Sequence, residues 1–299
     1  MAQTLEILTR RTATMRSIRG IVRTMKTMSA INALPYEQAA SSIEGYRDTT
    51  LRGLHAFVQC NGPLAVDDET AALAVVIVFG SDHGLCGNYN EIVASEAAQI
   101  CKPETRIICV GAQMEDALFG QGITPEKVLL PPATVDGLAR LAGRLIAVID
   151  SIRQGSSTGA ISVSLVFTQR ADHGQQQPAT QRLLPLDPAL ASGFTQEKWQ
   201  SRSLPQFSLP PDQLLAALIR SYLFADLYRA AAEAMVTENA ARLARMQQAE
   251  RSVDDQLEEL TGEMRAVRQS EITTELLDVI IGFEALKERA KRKPGAPQA

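Results

Sequence analysis

The four cysteines of this chain, Cys60, Cys86, Cys101 and Cys109, include no Cys-x-x-Cys pair, and only three histidines accompany them. That spacing excludes the common zinc arrangements and offers no disulfide framework, so the thiols read as mostly buried side chains in a reduced compartment. Aromatic residues are scarce, at 5%, which suits long helices better than a β-sandwich. No run approaches the roughly 18 apolar residues that cross a bilayer, and the first residues lack the apolar core of a secretory signal. Glu6 and an apolar pattern that starts at Leu5 argue against an organellar transit peptide. Net charge is only −4, which excludes nucleic-acid binding by bulk electrostatics. The charge is unevenly placed, however, with Arg10, Arg11, Arg16, Arg19, Arg23 and Lys26 set against the single acid Glu6 in residues 1–33. Such a face suits an acidic protein surface, a phosphate backbone or lipid head groups. With 299 residues and 45% hydrophobic content, the chain is long enough to bury a core as one or two domains.

Proline is absent between Pro211 and Pro294, and only Gly262 and Gly282 punctuate that stretch. Nothing there interrupts a helix. Leu215, Leu218, Tyr222, Met235 and Leu243 form a broad apolar stripe, which gives way to alternating steps of three and four: Met246, Glu250, Val253, Leu257, Leu260, Met264, Val267, Glu271. A repeat averaging 3.5 residues is a coiled-coil seam, and a seam needs a partner. Residues 4–34 also lack proline and supply one, with Leu8, Met15, Val22 and Ser29 as one row and Ile18, Met25 and Asn32 as its companion. Two terminal helices that enclose a middle segment pair antiparallel. Ser29, Asn32, Glu250 and Glu271 are polar seam residues, which cost stability and can set register.

Pro35 is expected to kink or end the first helix, and a second helical pattern covers Tyr36 to Val58. Asn61-Gly62-Pro63 and Asp67-Asp68-Glu69 mark a linker. Ala72 to Phe79, Arg106 to Val110 and Ile161 to Phe167 are apolar runs of strand length, with helical patterns at Glu91 to Cys101 and Asp136 to Arg153 between them. Strands buried on both faces and alternating with helices indicate a small α/β domain with a mostly parallel sheet. Ala171 to Pro211 reads as a long surface connection with one short strand candidate, Arg182 to Leu186. Pro210-Pro211-Asp212 opens the long helix, where Asp212 can accept from free backbone N–H groups.

The sharpest local motif is Gly80-Ser81-Asp82-His83-Gly84-Leu85-Cys86-Gly87-Asn88-Tyr89-Asn90, directly after the best strand and before a helix. A glycine-rich strand-to-helix turn can cradle phosphate. The spacing matches neither GxGxxG nor the P-loop, and no lysine follows. A tight structural turn and a ligand loop both stay open on local chemistry, and a catalytic use of Asp82, His83 and Cys86 lacks a third orienting group.

At this turn and at the two ends, the sequence resembles the gamma subunits of F-type ATP synthases. Gly80 to Asn90 resembles that family's S-D-R-G-L-C-G-x-x-N turn, and Ile21 to Ala30 its I-T-K-A-M-x-M-V-A segment. Glu238 to Leu243 resembles E-x-x-A-R-M, and Arg268 to Leu276 resembles R-Q-x-x-I-T-x-E-L. Leu183 to Leu186 and Lys198-Trp199 match in the connection, so the likeness is collinear over nearly the whole chain. His83 stands where the family usually has arginine, Asn88-Tyr89 replaces Gly-Leu, and a basic, proline-ended tail continues beyond Gly282. These departures suit an alternative bacterial branch, sodium-translocating members included.

The resemblance implies a long antiparallel coiled coil of the terminal helices with an inserted α/β domain. The implied organisation is residues 1–60 for the first helix, 70–210 for the insert, 211–293 for the second helix and 294–299 for a tail. It further implies a non-catalytic central rotor stalk without cofactor or metal, set in a ring of three alpha and three beta subunits. Its base lies beside epsilon and the membrane c-ring, on the cytoplasmic side of a bacterial inner membrane. Arg23, Met25, Lys26, Arg242, Arg268, Gln269, Thr273 and Glu275 are the implied partner contacts, and Gly80, Asp82, Gly84 and Gly87 form the structural turn. The rival readings are a nucleotide-binding α/β enzyme with helical arms and a coiled-coil adaptor.

Overall fold

The computed structural model describes residues 2–64, 73–156, 160–171, 176–196, 199, 202–203 and 205–291. Its two longest elements are α1 (Ala2–Asn61) and α6 (Pro211–Lys291). The chain divides into two compact units, Met1–Met25 with Met246–Ala299, and Lys26–Arg245.

In the first unit the start of α1 runs antiparallel to the later part of α6. Thr12 meets Met264, Arg19 meets Asp254 at 2.6 Å and Arg23 meets Glu250 at 2.7 Å, so rising numbers on one helix face falling numbers on the other. On α6 the seam follows the steps of three and four, with Met246, Val253 and Leu257 buried and Glu250, Leu260, Met264, Val267 and Glu271 half-buried. Burying each large apolar side chain stabilises the pairing by about 1.5–3 kcal/mol. The partly exposed ion pairs add about 1 kcal/mol or less each.

On α1 one row matches expectation, since Leu8 and Val22 are buried and Met15 is half-buried. The companion row holds only in part, since Met25 is half-buried but Asn32 is exposed. Ile18 is exposed, whereas Thr12 is buried and Arg19 half-buried. Hydropathy favours Ile18, but Arg19 can lay its aliphatic stem along the seam and keep its guanidinium on Asp254. Thr12 satisfies its hydroxyl by donating to the Leu8 carbonyl at 2.8 Å, which lets a polar residue sit inside.

Pro35 does not end α1, which continues unbroken to Asn61. Proline removes one N–H and orphans the carbonyl four residues earlier. Both Pro35 and Ile31 are exposed, so that carbonyl belongs to the solvent side. The inward side is held by buried Tyr36 and Ala40, and Tyr36 donates its hydroxyl hydrogen to the Pro132 carbonyl at 3.0 Å. At the far end Gly62 (φ +91°) follows the last helical turn as the expected break. The acidic part of the linker and the tail after Lys291 lie outside the described residues.

In the second unit β1 (Leu73–Phe79) is the centre of a five-stranded sheet. Beside it lie β2 (Arg106–Val110), β3 (Lys127–Leu129), β4 (Ile161–Arg170) and β5 (Gln176–Leu184), in the order β3-β2-β1-β4-β5. Strands β1 to β4 pair parallel, with Ile77 opposite both Ile108 and Leu165. Between them run α2 (Tyr89–Ile100), α3 (Ala112–Gly120) and α4 (Leu138–Gly155), and α5 (Pro188–Gln196) follows β5. The period of two along β1 separates two cores. Val75, Ile77 and Phe79 pack with Leu141 and Leu145 of α4, Leu54 of α1 and Leu227 of α6. Val76 and Val78 pack with Val93 and Ala97 of α2 and Leu118 of α3.

The sheet departs from expectation at both edges. On one side β3 and α3 are too short, three and nine residues, to leave a periodic signal. On the other, β5 starts at Gln176 and runs antiparallel to β4, so the region after Ala171 is a strand and a helix more than a surface connection. Its Gln and Thr side chains hide the strand from any apolar pattern. An antiparallel edge strand needs only one buried face.

The thiols follow the packing. Cys109 is fully buried, and burial pushes it up to about 12; Cys86 is buried and also raised, Cys101 is half-buried and Cys60 exposed. Because the thiolate is the reactive form, an alkylating reagent at pH 8 is expected to modify Cys60 first and Cys101 more slowly. Cys86 and Cys109 are expected to react only after unfolding, which peptide mass spectrometry reads directly.

Candidate partner-contact site

The turn after β1 sits at the carboxyl end of the central strand. The sheet order reverses there, with β2 on one side of β1 and β4 on the other. In open α/β sheets that switch point is the usual ligand crevice. In this chain it is filled by α6. Thr237 donates to the Thr168 carbonyl at the end of β4 at 3.1 Å. Tyr89, at the start of α2, donates to the Ala234 carbonyl at 3.0 Å.

The start of the turn is tied down by internal bonds. Gly80 N–H donates to the Val110 carbonyl at 2.9 Å. Ser81, fully buried, exchanges bonds with Asn90: its N–H donates to Asn90 Oδ1 at 2.9 Å, and Asn90 Nδ2 donates to Ser81 Oγ at 2.8 Å. Asp82 accepts from Ala112 N–H at 3.3 Å and pairs with the exposed His83 at 3.2 Å. The backbone N–H groups of Gly80 and Ser81 are committed in this way, and these ties to the surrounding fold favour the structural reading over the ligand loop. Burial raises the Cys86 thiol, so it lacks the thiolate that a nucleophile needs.

Arg242 closes the turn from α6. Its guanidinium donates to the His83 carbonyl at 3.0 Å, to the Gly84 carbonyl at 3.3 Å and to Glu238 Oε1 at 2.6 Å. Glu238 is 4% exposed, and burial holds its carboxyl above the ordinary carboxylate value, with Arg242 pulling the other way. The pair therefore fixes loop to helix in a dry setting. Spacing places Glu238 and Arg242 one helical turn apart in the sequence. That both face the glycine turn is a tertiary fact.

The four predicted turn residues differ in what they require. Gly87 has φ +71°, a left-handed conformation that other residues adopt with strain. At Gly80 a Cβ would lie 2.5 Å from the Cβ of buried Met114, whereas at Gly84 the nearest atom is 3.9 Å away. One demanding glycine is missed by sequence reasoning: Gly111, at the end of β2, has φ +111° and leaves only 2.5 Å between an added Cβ and the Ser81 carbonyl oxygen, which is backbone. Replacing Gly111 with alanine is expected to cost about 3 kcal/mol or more, from backbone strain and a contact with backbone that cannot turn aside. Replacing Gly84 with alanine should change stability by about 0.5 kcal/mol or less. Urea unfolding of the two variants side by side checks both. The turn also holds Leu85 at φ 66° with its side chain 58% exposed, an apolar group displayed by a strained backbone.

The other predicted contacts lie on the helices. Arg23 is exposed and bonded to Glu250, while Met25 and Lys26 are half-buried. Arg268, Gln269, Thr273 and Glu275 are exposed on α6. Thr273 donates back to the Gln269 carbonyl at 2.9 Å. The structure thus brings Arg242 and the glycine turn together. Past Glu271 every residue of α6 with a described side chain is exposed, among them Ile272, Leu276, Leu277, Val279, Ile280, Ile281, Phe283 and Leu286. Among the described residues no group of His, Cys, Asp and Glu could hold a metal ion, and no helix is long and apolar enough to cross a membrane.

Comparison with known proteins agrees from end to end. The family model described as ATP synthase matches residues 4–286. The ATP synthase gamma chain of Synechococcus elongatus is 30% identical over 312 residues, spanning 92% of this chain and 96% of that one. The gamma chain of Desulforamulus reducens is 28% identical, spanning 94% and 98%. Among solved structures, a chain of the Euglena gracilis mitochondrial ATP synthase OSCP/F1/c-ring assembly superposes with a TM-score of 0.67 at 17% identity, over 100% of this chain and 99% of that one. A chain of the rotor of the same enzyme gives 0.63 over 91% and 100%. At that identity the likeness concerns the fold.

Proposed function

Because the chain belongs to the ATP synthase gamma family, we propose that it is the central shaft of a rotary ATP synthase, turning inside a ring of three alpha and three beta subunits. It is a non-catalytic subunit of a membrane-associated complex, and ATP is made or split on the beta subunits. Epsilon and the membrane c-ring are its partners at the base, and the complex sits on the cytoplasmic side of a bacterial inner membrane. The organisation this reading uses is helix 1–60, insert 70–210 and helix 211–293.

The observation that carries the reading is the end of α6. From Ile272 to Leu286 it exposes eight large apolar side chains, each at least half accessible. So much apolar surface on one helix end marks an interaction site. A sleeve formed by the ring covers it. The exposed Arg268, Gln269, Thr273 and Glu275 then make polar contacts at the rim of that sleeve, and Arg23, Met25 and Lys26 lie on the other helix where the shaft meets a beta subunit. Arg242 serves the glycine turn, whose Gly80, Asp82, Gly84 and Gly87 segment presents Leu85 outward.

The mechanism is a population shift. A shaft with unlike sides touches three chemically identical beta subunits differently, and each contact favours one conformation of that subunit's nucleotide site. Ion flow turns the shaft and cycles those affinities; hydrolysis turns it back.

The direct test is co-expression with alpha and beta subunits from the same source, followed by native mass measurement and ATPase assay. One copy of this chain per three alpha and three beta subunits, with ATPase altered by Met25→Lys, is the expected result. A chain that stays outside the ring would overturn it in favour of an adaptor, and saturable nucleotide binding by that free chain would point to the enzyme reading.

A further inference from the structure

We propose that Asp226 and Arg170, with the side chains that grip them, form a torsional lock that makes the α/β sheet and the two helices turn as one body. The proposal rests on the rotor reading and concerns how torque crosses the Lys26–Arg245 unit.

Asp226 lies on α6 with no exposed surface. Its two carboxylate oxygens are taken by different elements: Arg47 Nε of α1 donates to Oδ1 at 2.6 Å, and Gln181 Nε2 of β5 donates to Oδ2 at 3.0 Å. Arg47 also lies over the Tyr222 ring, 5.8 Å from its centroid. One turn along α6, Arg229 donates to the Gln181 side-chain oxygen and pairs with Glu44 of α1 at 3.6 Å. A second cluster repeats the plan. Arg170, at the end of β4, binds Glu233 of α6 at 2.9 and 3.2 Å and Glu37 of α1. Each cluster ties the same three parties, α1, α6 and the sheet.

Stability does not account for this. A buried ion pair can usually be replaced by well-packed apolar side chains without loss, because desolvation offsets the attraction. The apolar core here already joins the three parties through Leu54, Leu227, Val163 and their neighbours. Ion pairs add direction. Apolar surfaces can roll or slide with little change in buried area, whereas a hydrogen-bonded carboxylate weakens steeply when its donors shift in distance or angle. Pairs that reach from a sheet to two antiparallel helices at two levels oppose both sliding and twisting. A rotor needs that property, and a static scaffold does not.

The lock matters only under load, which separates it from a merely structural role. In assembled complexes reconstituted into vesicles, the apolar double variant Arg47→Met/Asp226→Leu is expected to assemble and to hydrolyse ATP at the native rate in the detached, unloaded ring complex. ATP-driven ion pumping should fall by about fivefold against a full gradient, the lower end of ordinary coupling effects, with a smaller deficit when the gradient is collapsed. The double variant Arg47→Lys/Asp226→Glu, which restores opposite charges, should recover part of the loss. Native pumping by the apolar variant at full gradient would overturn the proposal, as would equal losses with and without load. Should the apolar variant fail to assemble, Arg170→Gln, on a partly exposed side chain, is read by the same loaded and unloaded assays with the same criteria. A native chain that never enters the ring would instead defeat the rotor reading, and the lock with it.

Discussion

Replacing Arg242 with alanine is expected to destabilise the Lys26–Arg245 unit by about 3–5 kcal/mol, the usual cost of leaving one member of a buried ion pair alone. Glu238 would keep its buried position and lose the guanidinium it is paired with, while the carbonyls of His83 and Gly84 would lose the Arg242 donors. Against a typical total stability of about 5–15 kcal/mol, that is a large fraction. The deficit should depend on pH in a defined direction. Burial sets the folded pKa of Glu238 above its ordinary value, and removing Arg242 raises it further. A carboxyl with a raised folded pKa favours the folded state when protonated, so the stability it contributes is lost as pH rises through the folded pKa. Urea titrations of the variant should therefore show the greatest deficit near pH 8 and a shrinking one as pH falls toward about 5. Glu238→Gln should lose less, because the amide oxygen still accepts from Arg242 and the guanidinium keeps the carbonyls of His83 and Gly84. A deficit in Arg242→Ala that is small and flat with pH would show that the pair is solvated.

The second large effect lies in the first unit. Replacing Val253, Leu257 and Leu260 together with glycine removes three inward side chains of the seam, two of them buried and one half-buried. Each substitution costs about 2–5 kcal/mol for lost packing and cavity, and about 1 kcal/mol more for glycine inside a helix. The sum exceeds what a two-helix pairing of this length supplies, so the pair should separate locally. In the assembled enzyme the expected outcome is persistent ATP hydrolysis with ion pumping reduced about tenfold or more. Circular dichroism of the isolated chain should show lower helicity, while labelling of Cys86 and Cys109 in the other unit stays slow. Pumping that keeps pace with hydrolysis would remove stiffness of the helix pair from the mechanism.

Several features were legible before any tertiary structure. The proline-free stretch after Pro211 becomes one helix, because nothing in it breaks the ladder of backbone bonds. Its steps of three and four predict which residues turn inward, since a helix repeats every 3.6 residues whatever it packs against. The apolar run ending at Phe79 becomes the central strand, and the glycine turn after it has the tight, left-handed backbone that glycine permits. These are properties of neighbours in sequence.

What only the tertiary structure decided involves partners far apart in the chain. Arg19 displaces Ile18 from the seam because Asp254 waits opposite, 235 positions away. Pro35 stays within α1 because its exposed side tolerates a missing bond while Tyr36 is anchored to Pro132. The polar strand β5 exists because β4 offers it an edge. Arg242, expected on a partner, spends its donors on the chain's own turn because the fold carries α6 across the end of β1. Local periodicity determined the elements. The desolvation of charged side chains, and hence the choice of their partners, was settled only once distant segments came into contact and excluded water.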